Sequence, residues 1–252
     1  MISVVILGAG NVGTHMSRAI FEAKNLKLIQ WFNKTPIPNF TDYWGVNFNS
    51  DLDQIPEADL YIIAVSDGAI ENLSERLPFS DRLVVHTSGS LSMRFLNNKN
   101  RRGVFYPLQT FSKTSELSFD QVPICIEAND KKDRALLKSV AEALGCPTYM
   151  ISSEQRQTLH LAAVFVNNFT NQMYRLAHEL TDEKSLDFEL LKPLILETAK
   201  KVQTLSPYMA QTGPAKRNDK KTLKKHLKLL QEHPKIQDIY KILSESIRKT
   251  HG

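Results

Sequence analysis

The chain has 252 residues, is 42% hydrophobic and carries a net charge of +5, so it can bury a large core and form two domains without extra staples. Its two cysteines, Cys125 and Cys146, lie in apolar surroundings without metal-ligand spacing. This argues against a disulfide framework or a metal centre and predicts buried thiols in a reducing compartment. No apolar run approaches the length of a membrane span and the chain opens directly on a strand-like segment, so neither a membrane partner nor a cleavable leader is expected and a cytoplasmic location follows.

The apolar run 2–7 leads into Gly8-Ala9-Gly10-Asn11-Val12-Gly13, a complete G-x-G-x-x-G. A segment with Val12, Met16, Ala19 and Ile20 at helical spacing follows, and then a second strand-like run over 26–32. Strand, glycine turn, helix and strand in this order are the context that the dinucleotide-binding fingerprint requires. Gly8 lets the chain turn off the strand, Gly10 admits a pyrophosphate where a Cβ would collide, and Gly13 lets the helix pack close to the strand. The N–H groups at the helix start, at Asn11 and Val12, face the phosphates.

An NAD site usually carries Asp or Glu at the end of the second strand, to accept from the ribose 2′-hydroxyl. Here that position reads Asn33-Lys34-Thr35, with no carboxylate until Asp42. A cation and two small polar groups suit a 2′-phosphate, so the expected cofactor is NADP(H).

Residues 36–50 read as a proline-interrupted loop and 51–55 as a helical turn. The continuous apolar run 60–65 is a strand buried on both faces, and its end places Val65 and Ser66 at the ligand crevice. Asp67 is a candidate cap for a helix over 68–77. The strand 83–86 runs into Thr87-Ser88-Gly89-Ser90, whose hydroxyls and bare backbone either hold nicotinamide or substrate or make a turn and cap. Another strand over 103–106 ends in Tyr106, a candidate proton donor, followed by Gln109 and Thr110 as candidate substrate contacts. A strand over 122–127, a helix over 131–144 and a strand over 148–151 complete an α/β half with a parallel sheet.

From Ser152 the periodicity is helical throughout, over 153–180, 188–205, 219–232 and 235–248. The expected division is a nucleotide-binding Rossmann domain over 1–151 and an all-α substrate and dimerisation domain over 152–252, with an unusually long first helix. At about 100° per residue, His160, Val164, Asn167 and Asn171 fall within a sector of about 60°, with Asn168 beside it. An unpaired buried carboxamide costs roughly 1–3 kcal/mol, so this stripe implies either a wet cleft or a paired network between helices. In a cleft it would orient a carbonyl, and His160 could transfer a proton.

A second constellation is Thr212-Gly213-Pro214-Ala215-Lys216-Arg217-Asn218-Asp219, with Thr222 and His226 on the helix behind it. Arg217 is a carboxylate or phosphate clamp, or part of an ordinary loop and cap. The adjoining Lys220, Lys221, Lys224, Lys225 and Lys228 lie mainly opposite Leu223, Leu227 and Leu230, a solvated amphipathic face. It has no interleaved aromatics, so no nucleic-acid partner is expected.

The glycine fingerprint, Asn33-Lys34-Thr35, Val85-His86-Thr87-Ser88-Gly89, the stretch from Gly103 to Phe111, the stretch from His160 to Asn171 and the stretch from Thr212 to Asp219 occur in a familiar order. Together they resemble a bacterial family of Rossmann-like proteins provisionally assigned as NADP oxidoreductases, with a helical C-terminal domain of unknown function. The family looks related to pyrroline-5-carboxylate reductase and to the 3-hydroxyacid and 6-phosphogluconate dehydrogenases. That kinship implies a 6-phosphogluconate dehydrogenase C-terminal-like helical domain that forms a homodimer and closes over the nicotinamide. The hydroxyacid dehydrogenases place a catalytic lysine three residues before a paired Asn-Asn, where this chain has Val164, and the family often has His where it has Tyr106.

The reading that results is hydride transfer between NADP(H) and a small carbonyl or imine, such as a 2-keto acid. His160, Asn167, Asn171 and Tyr106 are assigned to catalysis. Gly8, Gly10, Asn11, Val12, Gly13, Asn33, Lys34, Thr35, Val65, Ser66, Ser88 and Gly89 are assigned to the cofactor, and Gln109, Thr110, Asn168 and Arg217 to the substrate. The alternative is an NADP(H)-binding sensor or scaffold protein without turnover.

Overall fold

A computed structural model describes residues 1–35, 46–112 and 117–251. Eight strands, β1 (Ile2–Leu7), β2 (Leu26–Phe32), β3 (Phe48–Asn49), β4 (Leu60–Ile63), β5 (Leu83–His86), β6 (Arg101–Pro107), β7 (Ile124–Ala128) and β8 (Thr148–Met150), form one sheet in the order β3-β2-β1-β4-β5-β6-β7-β8. The order reverses about β1, which places a crevice at the carboxyl ends of β1 and β4. Strand β4 reads as an unbroken apolar run, and β1 as one broken only by Ser3, because both faces are covered. Val4 and Ile6 pack with Met16 and Ile20 of α1 (Asn11–Glu22) and with Leu137 and Val140 of α3 (Lys131–Ala143). Val5 and Leu7 point the other way, into a cluster with Ile70 of α2 (Asp67–Glu75).

Six of the seven strand pairs are parallel, but β6 and β7 run antiparallel. The described part of the connection between them carries only a single turn, Phe119–Gln121, and no crossover helix. A parallel pairing is ordinarily bridged by a crossover helix, which the described part of this connection lacks, and the chain returns antiparallel. The two-residue β3 falls inside the stretch read as loop; residues 36–45 of that loop lie outside the described residues. Cys125 and Cys146 are buried free thiols.

The chain divides into two compact units, Met1–Asn168 and Phe169–Gly252. Secondary structure changes at Ser152, but the first unit continues through α4 (Ser153–Ala163). The physical reason is Arg156, fully buried and ion-paired to Glu127 on β7, which holds α4 to the sheet. The expected single long helix is interrupted by a six-residue π-helix, Val164–Phe169, before α5 (Thr170–Asp182).

The second unit contains α5, α6 (Lys192–Thr204), the single turn α7 (Pro207–Ala210), α8 (Lys220–Leu229) and α9 (Pro234–His251). Its buried hydrophobic residues, among those described, are Leu176, Ala215 and Leu230. Leu190, Leu194, Met209, Leu229 and Ile242 are all more than 60% exposed. Among the described residues no helix is long and apolar enough to cross a membrane.

Candidate active site

The glycine turn is built by close packing on one side and left open on the other. Gly8 has φ +123°, and a Cβ there would stand 2.3 Å from the Ala64 carbonyl oxygen. A Cβ on Gly13 would stand 2.2 Å from the Gly8 carbonyl oxygen, so the helix can approach the strand only with glycine there. A Cβ on Gly10, by contrast, would meet nothing within 4 Å. Gly10 is the N-cap of α1, with no side chain bonded to the helix end and no acidic residue in the first turn. Open space beside an uncapped helix N-terminus fits a pyrophosphate, so the turn passes the geometric test for the dinucleotide it implies.

Asn33 ties the end of β2 to this turn. Its Oδ1 accepts from the Ala9 N–H at 3.2 Å and its Nδ2 donates to the Thr35 carbonyl at 2.7 Å. A cavity of about 510 Å³ opens beside it, lined by Gly8, Asn33, Lys34, Val65 and Arg76, with Asp51 and Asp53 on its wall. Asp51 is occupied locally, accepting from the Asp53 N–H at 3.0 Å and from Gln54 Nε2 at 3.0 Å. Arg76, at the C-cap of α2, is a cation that sequence reading missed, because a basic residue at a helix end is ordinarily a dipole partner. Among the described residues neither Lys34 nor Arg76 has a carboxylate within ion-pair distance.

At the ends of β5 and β6 a second group converges. The Tyr106 hydroxyl lies 3.2 Å from His160 Nδ1, with the two rings edge to face. Gly89 fills the space beneath them: a Cβ there would stand 2.6 Å from His160 Nδ1 and 2.8 Å from Tyr106 Cζ. A cavity of about 400 Å³ is lined by Tyr106, Gln109, Thr110, His160, Asn167 and Asn168, with Val164 also on its wall. Burial pushes the Tyr106 phenol up to about 12, Cys125 adding to the shift and Arg156 opposing it, so at neutral pH it is a neutral phenol able to donate or accept a hydrogen bond.

Several assigned residues have local duties as well. Ser88 Oγ accepts from the Ser90 and Leu91 N–H groups at 3.1 and 3.0 Å, the turn-and-cap role open in the sequence. Asp67 is not the cap of α2: Ser66 holds that position, and the Asp67 carboxylate accepts from Ser90 Oγ. Asn11, at the start of α1, donates from Nδ2 to the Phe111 carbonyl at 2.8 Å. His86 is fully buried, and desolvation, helped by Arg156, pulls it down to about 4.

The polar stripe needs correction. The sector of about 60° assumed regular α geometry, whereas the π-helix from Val164 to Phe169 bonds i to i+5 and underwinds the chain. His160, Asn167 and Asn168 line the cavity in the first unit, while Asn171 belongs to α5 in the second. Arg217 also belongs to the second unit, in an exposed loop ahead of Asp219, whose carboxylate accepts from the Thr222 N–H at 3.0 Å and caps α8. His226 is engaged with Tyr240 at 2.8 Å. Among the described residues no cluster of His, Cys, Asp or Glu is arranged to hold a metal ion. A larger cavity of about 720 Å³, lined by His15, Arg18, Glu22, Ser118 and Asp120 among others, includes none of the assigned site residues.

A family model described as a domain of unknown function, DUF2520, matches residues 122–247. A Bacteroides fragilis protein provisionally named an NADP oxidoreductase shares 39% identity, covers 98% of each chain and superposes with a TM-score of 0.88. A Thermotoga maritima protein shares 20% identity over 98% of each chain, with a TM-score of 0.76. Plasmodium falciparum pyrroline carboxylate reductase, solved with NADP bound, has the same fold at 12% identity, covering 100% of this chain and 98% of its own, with a TM-score of 0.64. No curated protein sequence matches the chain significantly.

Proposed function

The chain belongs to the family of Rossmann-fold proteins that carry this C-terminal domain of unknown function, and from that membership we propose that it is an NADP-dependent oxidoreductase. It moves a hydride between NADP(H) and a small carbonyl or imine, such as a 2-keto acid. The observation that carries this reading is the Tyr106–His160 pair packed over Gly89, beyond the carboxyl end of β6 in the sheet that also bears the open glycine turn.

When bound, NADP(H) supplies or accepts the hydride; the chain's own residues bind, orient and move a proton. Gly8, Gly10, Gly13 and the first N–H groups of α1, at Asn11 and Val12, take the pyrophosphate. Asn33, Lys34 and Thr35 take the 2′-phosphate, Val65 and Ser66 line the crevice, and Ser88 and Gly89 seat the nicotinamide. In the reductive direction the substrate carbon gains the hydride, and its oxygen or nitrogen gains the proton from Nε2 of protonated His160. His160 is left neutral and is reprotonated from solvent. Tyr106, held as a phenol by burial, stays bonded to Nδ1 and fixes the ring. Asn167 polarises the carbonyl, Gln109, Thr110 and Asn168 contact the substrate, and Asn171 and Arg217 keep their assignments on sequence grounds alone.

The exposed apolar side chains of the second unit support pairing with a second copy, because a monomer seldom exposes so many large apolar groups. A mass of two chains by light scattering is the expected result. Cysteine usage supports a cytoplasmic location.

The test is NADPH oxidation in the presence of a panel of keto acids and cyclic imines. Turnover with one class, falling roughly 10²–10⁴-fold in His160→Ala while NADPH affinity is kept, is the expected result. Tight NADPH binding without turnover on any member of the panel would instead favour a nucleotide sensor. Val164, an apolar residue where related dehydrogenases carry a lysine, supports that second reading.

A further inference from the structure

Arg156 is the one fully buried cation among the described residues, and the proposed reaction does not use it. It lies on α4 one helical turn before His160. Its Nη1 donates to Glu127 Oε2 at 2.5 Å, and its Nη2 donates to the Leu91 carbonyl and to Ser153 Oγ, the latter at 3.2 Å. Ser153 Oγ in turn donates to Glu127 Oε2 at 2.8 Å. The next residue, Gln157, donates from Nε2 to the Ser90 carbonyl at 2.8 Å. Three elements meet at this network: β7 through Glu127, the loop after β5 through Ser90 and Leu91, and the helix that carries His160.

The energetics argue against a purely structural role. Burying an ion pair costs several kcal/mol of desolvation, and apolar residues of similar volume generally hold a helix against a sheet at least as well. Here the cost is not fully met, because Arg156 Nε has no hydrogen-bond partner among the described residues. What a guanidinium supplies and an apolar side chain cannot is a rigid fork, here bonding β7 through the Glu127 carboxylate and the loop after β5 through the Leu91 carbonyl in fixed directions at once. The loop that the fork bonds carries Gly89 and the helix that bears the fork carries His160, the two groups packed together across the candidate site.

We propose that Arg156 and Glu127 are a positioning pair that sets the Ser88–Leu91 loop and His160 at a fixed separation, forming the seat of the nicotinamide end of the cofactor. This rests on the oxidoreductase reading above. The pair touches neither substrate nor cofactor, and acts through Gly89 and His160.

The test uses two probes on the intact chain: NADPH, which needs both halves of the site, and adenosine 2′,5′-bisphosphate, which needs only the adenosine half. In Arg156→Met, NADPH affinity is expected to fall roughly tenfold or more, as for loss of hydrogen bonds to a charged group, with the bisphosphate unchanged within about twofold. Arg156→Lys, which keeps the charge but not the fork, should not rescue NADPH affinity. If Arg156→Met does not fold, Gln157→Ala decides, since it removes one exposed side chain and its bond to Ser90; a roughly threefold to tenfold loss for NADPH alone is expected. Equal losses for both probes, or none for either, would overturn the positioning role while leaving the oxidoreductase reading intact. Failure of the unmodified protein to bind either probe would remove that reading and this inference together.

Discussion

The Tyr106 hydroxyl and the His160 Nδ1 lie 3.2 Å apart although 54 positions separate them in the chain. Tyr106 ends up there because it stands at the carboxyl end of β6, an internal strand, and His160 because Arg156 ties α4 to Glu127 on the neighbouring β7. The pair defines one imidazole nitrogen, Nδ1, as the partner of a phenol, and the proposed reaction uses the other.

Replacing Tyr106 with Phe removes that partner without changing the ring. Turnover should fall by about tenfold, the value of one hydrogen bond in orienting the imidazole, while NADPH affinity stays within about twofold. In the unmodified protein, ultraviolet titration should show this tyrosine ionising only as pH approaches 12, because burial opposes the phenolate. Equal turnover in Tyr106→Phe would show that His160 is oriented by something else.

Gly89→Ala tests the space beneath the pair. Its Cβ would stand 2.6 Å from the imidazole, so the ring must move. Overpacking of this kind costs about 1–3 kcal/mol, and the lost alignment should depress turnover more than stability. Calorimetry and steady-state rates on the same preparation separate the two effects; unchanged turnover would mean that the ring and Gly89 are not held as close as described.

If the cavity beside Asn33 takes the 2′-phosphate, as proposed, Lys34 and Arg76 are the two cations on its wall that would select it. Lys34→Ala and Arg76→Ala should each weaken NADPH binding roughly tenfold or more and leave NADH binding nearly unchanged, since only the former carries the 2′-phosphate. Fluorescence titration with both nucleotides reads this directly. A gain in NADH affinity in Asp53→Asn would count against the assignment, because repulsion by Asp53 would then act on the dinucleotide rather than on the 2′-phosphate.

His86 gives stability a pH dependence of defined sign. Its pKa in the folded chain, about 4, lies below the ordinary 6.5 because burial disfavours the imidazolium. Between these values the unfolded chain binds the extra proton, so stability is complete above pH 6.5 and is lost as pH falls toward 4, by about 3 kcal/mol in total. Urea unfolding of the unmodified protein and of His86→Asn across that range should show a steeper decline in the former. Parallel curves would show that His86 is not the group responsible.

The sequence made the nucleotide half legible because its chemistry is local. Gly8, Gly10 and Gly13 sit within one turn, and the strands on either side of that turn announce themselves as apolar runs. The cluster around His160 was legible as residue types but not as geometry. Nothing in the run from Val164 to Phe169 signals a π-helix, and a regular helical projection therefore grouped Asn171 with Asn167. Arg156 was hidden in Glu154-Gln155-Arg156-Gln157, a run that reads as a solvated face, and its partner Glu127 stands 29 positions earlier. Arg76 was hidden for a similar reason: only the fold brings the end of α2 to the wall shared by Lys34. The β6–β7 reversal was hidden because the connection is long enough for a crossover helix, whereas its described part carries only the turn Phe119–Gln121.

The central claim is that the glycine turn and the Asn33-Lys34-Thr35 strand end hold a phosphorylated dinucleotide. Titration of the purified protein with NADPH and with NADH, followed by cofactor fluorescence and thermal shift, tests it most directly. The account predicts saturable binding of NADPH, at least about tenfold tighter than NADH, with a rise in Tm that grows with nucleotide concentration. Binding of neither nucleotide, or a preference for NADH, would contradict it.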